Sequence, residues 1–168
     1  MGFLWDWIAV NAGKTGMFTV EDEVKLVKAI LDQCGEEGGR QPGDDFMYHP
    51  HQIKMTPQVL VEAGLNNEQI EALMKIYAGA MDPETGERIY ESTVVPGSEN
   101  CDMGLVHRCE HPQFSDAYFY IFRWLFGADF DFTKFDFHRD AERIHKELDG
   151  YLNANNTDLS ASRDRGGK

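Results

Sequence analysis

Cysteine is scarce in this chain of 168 residues, where only Cys34, Cys101 and Cys109 occur. Three cysteines are too few for a disulfide framework, and the odd number leaves at least one of them unpaired within the chain. A single hydrophobic core can support a chain of this length without disulfides. A chain of this length buries roughly two thirds of its unfolded surface, so we expect residues 1–168 to form a single domain.

Basic residues are also few, because 16 lysines and arginines stand against 29 aspartates and glutamates and give a formal charge of −13. Such a chain repels phosphate backbones and anionic lipid surfaces, so we expect no nucleic-acid partner and no membrane partner. A long apolar run is absent too. The most apolar stretch, residues 116–126, is shorter than the roughly 20 residues of a membrane span, and Arg123 interrupts it. The N-terminus has no basic region and no signal-like apolar stretch, so the sequence assigns neither export nor cytoplasmic residence.

Catalytic motifs are missing as well. A serine nucleophile on a strand-turn-helix elbow lies in a Gly-x-Ser-x-Gly context. The serines that lack this context are Ser92, Ser98, Ser115, Ser160 and Ser162. The string Gly13-Lys14-Thr15 resembles part of a phosphate-binding loop, but Ile8 stands where that loop needs a glycine. We therefore predict no catalytic residue in this chain.

Four residues of types that can bind zinc fall within eleven positions, namely Cys101, His107, Cys109 and His111. Familiar zinc sites separate two ligand pairs by a dozen residues or more, and this spacing differs from them. A structural zinc ion and a Cys101–Cys109 disulfide remain alternatives, and ordinary surface or core residues are the preferred interpretation. The His49-Pro50-His51 segment and the acidic residues near Glu36 are interpreted as polar loops, so we predict no metal and no cofactor.

Helical periodicity is the main signal that is present. Thr19 and Asp22 form a capping-box pattern, which predicts a helix over Val20–Cys34 that ends at Gly35. The predicted apolar stripe of this helix consists of Val20, Val24, Val27, Leu31 and Cys34, flanked by Leu26 and Ile30.

Weaker patterns predict the remaining elements. Asn66 and Gln69 set a second capping box, so a helix is expected to follow Asn66 and to end at Gly79. Its predicted buried stripe is Ile70, Leu73, Met74 and Tyr77. We also predict a loop over 34–52, a helical turn over 58–63, and short strands over 88–90 and 93–95. A last helix is expected to run to about Leu152, with one face formed by Phe137, Ala141, Ile144, Leu148 and Tyr151. The tail over 153–168 is expected to be polar and loop-like. The fold class is therefore mainly α, with short β hairpins and long ordered loops.

The stretch Asp116–Phe126 is predicted to be a helix, capped by Ser115 and ended by Gly127. Eight of its eleven residues are large and apolar, and six of these are aromatic. A helix with apolar side chains on every side must be covered. It is either a core helix or an aromatic face for a partner or ligand, and Arg123 is the residue that most separates these two interpretations.

Several stretches taken together resemble one family. They are Leu65–Gly79, Asp82–Tyr90, Pro96–Glu99, Phe135–Asp140, Asn156–Ser160 and Arg165–Lys168. In this order they resemble segments of the tannase and feruloyl esterase family of serine hydrolases, for example "FDFHRD" at 135–140 beside the family's "FDFDRD". The resemblance covers nearly the whole chain.

The resemblance implies that residues 1–168 are a lid, or cap, domain of the type that is inserted in an α/β-hydrolase core. In the family the nucleophilic serine lies before the lid, and the Asp and His of the triad lie after it. The implied partners are therefore this hydrolase core and an aromatic ester substrate, and the implied parent family is commonly secreted or periplasmic. The run Cys34–Gly43 lacks the aspartates and the second cysteine of the family's calcium loop, so we expect no calcium.

Two functions are consistent with this sequence. In the first, the chain is a lid that excludes water and holds the aromatic acid of an ester, with Phe119 and Phe122 stacking on the acid's ring and Arg123 meeting its carboxylate or phenol. In the second, the chain is a non-enzymatic module whose aromatic helix 116–126 binds a protein partner or forms a homo-oligomer.

Overall fold

The computed structural model describes residues 11, 17–92, 94–100, 122–131, 134–152 and 158–167. The chain divides into two compact units, Met1–Phe135 and Asp136–Lys168. The elements are α1 (Val20–Cys34), a 3-10 turn (Pro50–Gln52), α2 (Pro57–Glu62), α3 (Asn67–Ala78), β1 (Ala80–Met81), β2 (Arg88–Tyr90), α4 (Arg139–Leu152) and α5 (Ser160–Asp164). Residues 122–126 are also helical. The predicted mainly helical class is confirmed, with one small antiparallel sheet among the described residues.

Helix α1 begins at the predicted capping box. The Asp22 backbone N–H donates to Thr19 Oγ1 at 3.1 Å, and the Thr19 N–H donates to Asp22 Oδ2 at 2.9 Å. The helix ends at Cys34 as predicted, but Gly35 is not the left-handed residue of a usual C-terminal cap, since its φ is −57°. Glycine is needed there because a Cβ would lie 2.3 Å from the Leu31 carbonyl oxygen. The left-handed residue comes later, at Gly39, which has a φ of +76°.

The buried face of α1 differs from the predicted stripe. Leu26, Ile30 and Cys34 are buried, whereas Val20 and Val24 are exposed. The helix carries two overlapping apolar stripes, and periodicity alone does not choose between them. Packing against α2 does choose, because only one side of α1 can meet that helix.

Helix α3 is fixed at both ends as the sequence predicts. Gln69 N–H donates to Asn66 Oδ1 at 3.0 Å, and Asn66 N–H donates to Gln69 Oε1 at 2.9 Å. Gly79 ends the helix with a φ of +82°. The Gln69 side chain also donates to the Met17 carbonyl at 2.7 Å, so this cap joins α3 to the segment before α1.

The core of the first unit consists of side chains from α1, α2, α3 and the residues beside them. Its completely or almost completely buried apolar members are Phe18, Leu26, Ile30, Leu60, Leu73 and Ile76. Helix α2 packs against both α1 and α3. No helix among the described residues is long and apolar enough to span a bilayer.

A two-stranded hairpin follows α3. Ala80 pairs with Tyr90 and Met81 with Arg88. In the turn between the strands, Asp82 Oδ1 accepts the N–H groups of Glu84 at 2.8 Å and Thr85 at 3.1 Å. The predicted strand over 88–90 is confirmed.

The predicted strand over 93–95 is wrong at Val94 and Val95, and Thr93 lies outside the described residues. The Val94 N–H instead donates to Ser92 Oγ at 3.1 Å. The Ser92 side chain therefore accepts the backbone N–H that Val94 would donate to a neighbouring strand in a sheet.

The second unit contains α4 and α5. Asp136 precedes α4, and its Oδ1 accepts the N–H groups of His138 and Arg139, both at 2.9 Å. Phe137, Ala141, Ile144 and Leu148 are buried as predicted, but Tyr151 is exposed. The tail was expected to be loop-like over 153–168, and its described part instead contains the short helix α5.

The glycine that ends α3 offers a test of this packing. We expect Gly79→Ala to destabilise the first unit by several kcal/mol, because a Cβ would lie 2.4 Å from the Tyr90 carbonyl oxygen and 2.8 Å from the Ser92 nitrogen. Gly64→Ala is the matched control, since Gly64 also has a positive φ but nothing lies within 4 Å of its Cβ position. Its cost is expected to be the backbone strain alone, about 1–2 kcal/mol. Urea unfolding of both variants measures the difference, and equal losses would contradict the hairpin contact.

Candidate functional site

Residues 122–126 end the stretch that was predicted to be an aromatic helix. Gly127 has a φ of +101° and its N–H donates to the Arg123 carbonyl at 2.8 Å, so the predicted helix end is confirmed. The part of the stretch before residue 122, including Phe119, lies outside the described residues.

Four phenylalanines, two on this helical segment and two after it, form one cluster that we call the phenylalanine cluster. Its members are Phe122, Phe126, Phe130 and Phe135. The Phe126 and Phe130 rings stack with centroids 4.7 Å apart, and Phe135 meets Phe122 edge-on at 5.2 Å. Such stacked and edge-on pairs add to the free energy gained by burial.

The predicted substrate-binding residues have different environments. Phe122 is only 5% exposed, and its ring lies against three other phenylalanines. Arg123 is exposed on the same segment. The substrate-binding roles of Phe119, Phe122 and Arg123 stay predictions, but the Phe122 ring already has partners of its own.

Trp124 was not singled out from the sequence, and it is 68% exposed. Helical spacing could have identified it. Phe122 and Phe126 are four residues apart and share the face that packs, whereas a residue two positions from each lies about 200° around the helix. The outer side of this segment therefore carries an indole ring and, next to it, a guanidinium group.

The metal candidates form no site in the part of the chain that the structure describes. No group of three or more histidine, cysteine or acidic side chains is arranged there to hold an ion. Cys101, His107, Cys109 and His111 lie outside the described residues. Cys34 is a free thiol in the interior, and burial raises its pKa.

A buried carboxyl group is the second notable feature. Glu99 has no exposed surface, and it accepts hydrogen bonds from the Gly97 N–H at 2.9 and 3.1 Å and from the Tyr77 hydroxyl. Burial raises the pKa of Glu99 to about 7, although these hydrogen bonds oppose the shift. Burial and the neighbouring carboxyl group also raise the pKa of Tyr77 well above its ordinary value.

The loop that carries Glu99 is held by local contacts. Ser98 donates to the Val95 carbonyl through its N–H at 3.0 Å and through its hydroxyl at 2.7 Å. Gly97 has a φ of +91°, and a Cβ on it would lie 2.6 Å from the Met47 methyl carbon. In the sequence, Pro96–Ser98 is a turn pattern and Pro96–Glu99 is part of the family resemblance, but nothing in the pattern marks Glu99 as buried.

Comparison with known proteins gives one informative match. No protein-family model and no solved structure matches the chain. Among curated proteins, it is similar to an uncharacterized esterase of Xanthomonas campestris pv. campestris, with 28% identity over 187 residues. The chain is thus related to an esterase. The match covers 99% of this chain and 32% of the esterase, so the chain spans about a third of the length of this relative.

The contrast between the two sides of residues 122–126 is testable. We expect Phe122→Ala to destabilise the chain by about 3–5 kcal/mol, because it removes a buried ring that contacts three others. Trp124→Ala is the control on the same segment and is expected to change stability by less than about 1 kcal/mol. Urea unfolding gives both values. A larger loss for Trp124→Ala than for Phe122→Ala would show that the two faces are assigned the wrong way round.

Proposed function

We propose that this chain is the lid of a tannase or feruloyl esterase-like serine hydrolase. In this role it covers the active site and helps to bind the aromatic acid part of an ester, and it does not catalyse the reaction alone. The observation that carries the proposal is the unequal coverage of the match, because nearly all of this chain aligns with only about a third of an esterase. The remaining two thirds of such an enzyme has room for a catalytic core.

The described structure supports a non-catalytic role. An α/β-hydrolase core is built on a mostly parallel sheet with helices on both faces, whereas the described residues form helices and one two-stranded antiparallel sheet. The hydroxyls of Ser92 and Ser98 donate to the backbone carbonyls of Val94 and Val95. Both hydroxyls are therefore engaged locally and neither is set up as a nucleophile.

The proposed mechanism divides the work between two parts of one enzyme. A serine on the hydrolase core attacks the ester carbonyl, the bond to the alcohol oxygen breaks, and the alcohol leaves with a proton as the acyl-enzyme forms. Water then hydrolyses the acyl-enzyme to the free serine and the aromatic acid. The lid excludes bulk water and positions the acid's ring, which places the carbonyl near the serine. Phe119, Phe122 and Arg123 are the proposed contacts, and the exposed Trp124 adds a third ring to this set.

Arg123 has a specific role in this proposal. A guanidinium group is always charged and binds carboxylates in a two-pronged geometry, so it suits an acid that carries a second carboxylate or an ionised phenol. Arg123 is an exposed residue of this segment.

The division of work predicts that the isolated chain is inactive. We expect no turnover of a p-nitrophenyl or feruloyl ester by the 168-residue chain, and turnover by the complete gene product that contains it. Both are assayed at equal concentration by absorbance. Turnover by the isolated chain would contradict the proposal, because it requires a catalytic site within the chain. This holds whether the activity persists in Ser92→Ala and Ser98→Ala variants or disappears in one of them.

Arg123 is tested in the complete gene product. We expect Arg123→Ala to lower kcat/KM for a feruloyl or carboxylated aromatic ester by about tenfold or more, through the loss of a charge-assisted contact. The rate for p-nitrophenyl acetate, which has no aromatic acid, is expected to stay the same. Arg165→Ala is the charge-matched control, since Arg165 is also exposed. An unchanged kcat/KM for the aromatic ester would remove Arg123 from the binding site.

A second candidate function is an interaction module that uses the aromatic helix 116–126, and the exposed Trp124 favours it. The two functions differ in what the complete gene product does. If that product hydrolyses no ester and the isolated chain forms oligomers that Trp124→Ala dissociates, the module is the better description.

A further inference from the structure

We propose that Glu99 is a pH-dependent anchor that holds the loop 94–100 against α3, and that raising the pH from the acidic range to neutrality loosens this loop. The inference does not depend on the proposed lid function, because it concerns contacts within the first unit alone.

The anchor joins two separate elements. The Tyr77 hydroxyl comes from α3, the Gly97 N–H comes from the loop itself, and both donate to the Glu99 carboxyl group. Val94 and Pro96 of the same loop are buried as well. Because Glu99 has no exposed surface, its carboxyl group reaches water only when the loop moves away from α3.

The described groups around Glu99 disfavour a negative charge on its buried carboxyl group. Glu23 on α1 is buried, and its charge raises the pKa of Glu99. Tyr77 faces Glu99 from α3, and Cys34 on α1 in turn faces Tyr77, with both of their pKa values raised. The hydroxyl and the thiol therefore stay neutral at physiological pH, whereas the pKa of Glu99 lies at about 7.

The direction of the effect follows from proton linkage. In the closed loop the pKa of Glu99 is about 7, whereas a hydrated carboxyl group in the open loop has its ordinary value near 4.5. Between these values the closed loop binds more protons than the open one. Closure is therefore favoured at low pH, becomes weaker as the pH rises towards 7, and stays at the weaker level above it.

Hydrogen exchange of the loop amides measures this opening. For the wild-type chain, we expect the opening equilibrium of residues 94–100, corrected for the intrinsic effect of pH on exchange, to rise on the order of 30-fold from pH 5.5 to 8.0. In Glu99→Gln, which keeps the shape and loses the titration, this change should disappear. Glu71→Gln is the matched control, because Glu71 is exposed on α3, and it should behave as the wild type does.

Carbon-13 NMR of the Glu99 carboxyl carbon in the wild-type chain supplies a second readout that does not require a folded variant. A titration midpoint near pH 7 supports the anchor, and a midpoint below pH 5 overturns it. In Tyr77→Phe the midpoint should move upward, because the variant removes a hydrogen bond that stabilises the ionised form. Loop exchange in the wild type that does not vary with pH after correction would also overturn the proposal, whatever the midpoint.

Discussion

Mutual burial of one apolar face on each of three short helices holds the first unit together. Helix α2 has only six residues, and an isolated helix of that length is not stable in water. It forms because Val59 and Leu60 are buried between its neighbours, where α2 packs against α1 and α3. The secondary structure of this region is therefore a consequence of the core, and a change that empties the core removes the helix too.

The same core has a polar edge. Tyr77 lies on α3, and its hydroxyl donates to Glu99 in the loop that follows the hairpin. The Glu99 carboxyl group is buried, and burial makes its ionisation unfavourable. The three hydrogen bonds that it accepts offset only part of this effect. Packing and acid-base behaviour are thus linked at this edge, because the contacts that close the loop are also those that set the charge of Glu99.

The phenylalanine cluster provides apolar packing for residues 122–126. The rings of Phe122 and Phe126 on this segment pack against Phe130 and Phe135 from the chain that follows, and Phe122 is buried. This arrangement leaves Arg123 and Trp124 on the other side of the segment. A chain related to an esterase over about a third of that enzyme's length thus presents a charged group and an aromatic ring together at its surface.

Local sequence determined the ends of the elements. The capping boxes at Thr19 and Asn66 and the glycines at positions 79 and 127 lie where the pattern placed them, because a cap depends on residues within four positions of each other. The mainly helical class followed from the same periodicity. Of the candidate site, the sequence singled out residues 116–126 and Arg123 within them, and the binding role of this segment stays a prediction.

Tertiary packing decided which faces are covered. Val20 and Val24 fit a helical stripe as well as Leu26 and Ile30 do, and only the position of α2 made the second pair the core. Phe122 and Trp124 are equally apolar in the sequence, and the approach of Phe135 buried one and left the other exposed. The burial of Glu99 was decided in the same way. Each of these outcomes depends on contacts between residues distant in the chain, and a pattern that spans only a few residues carries no information about them.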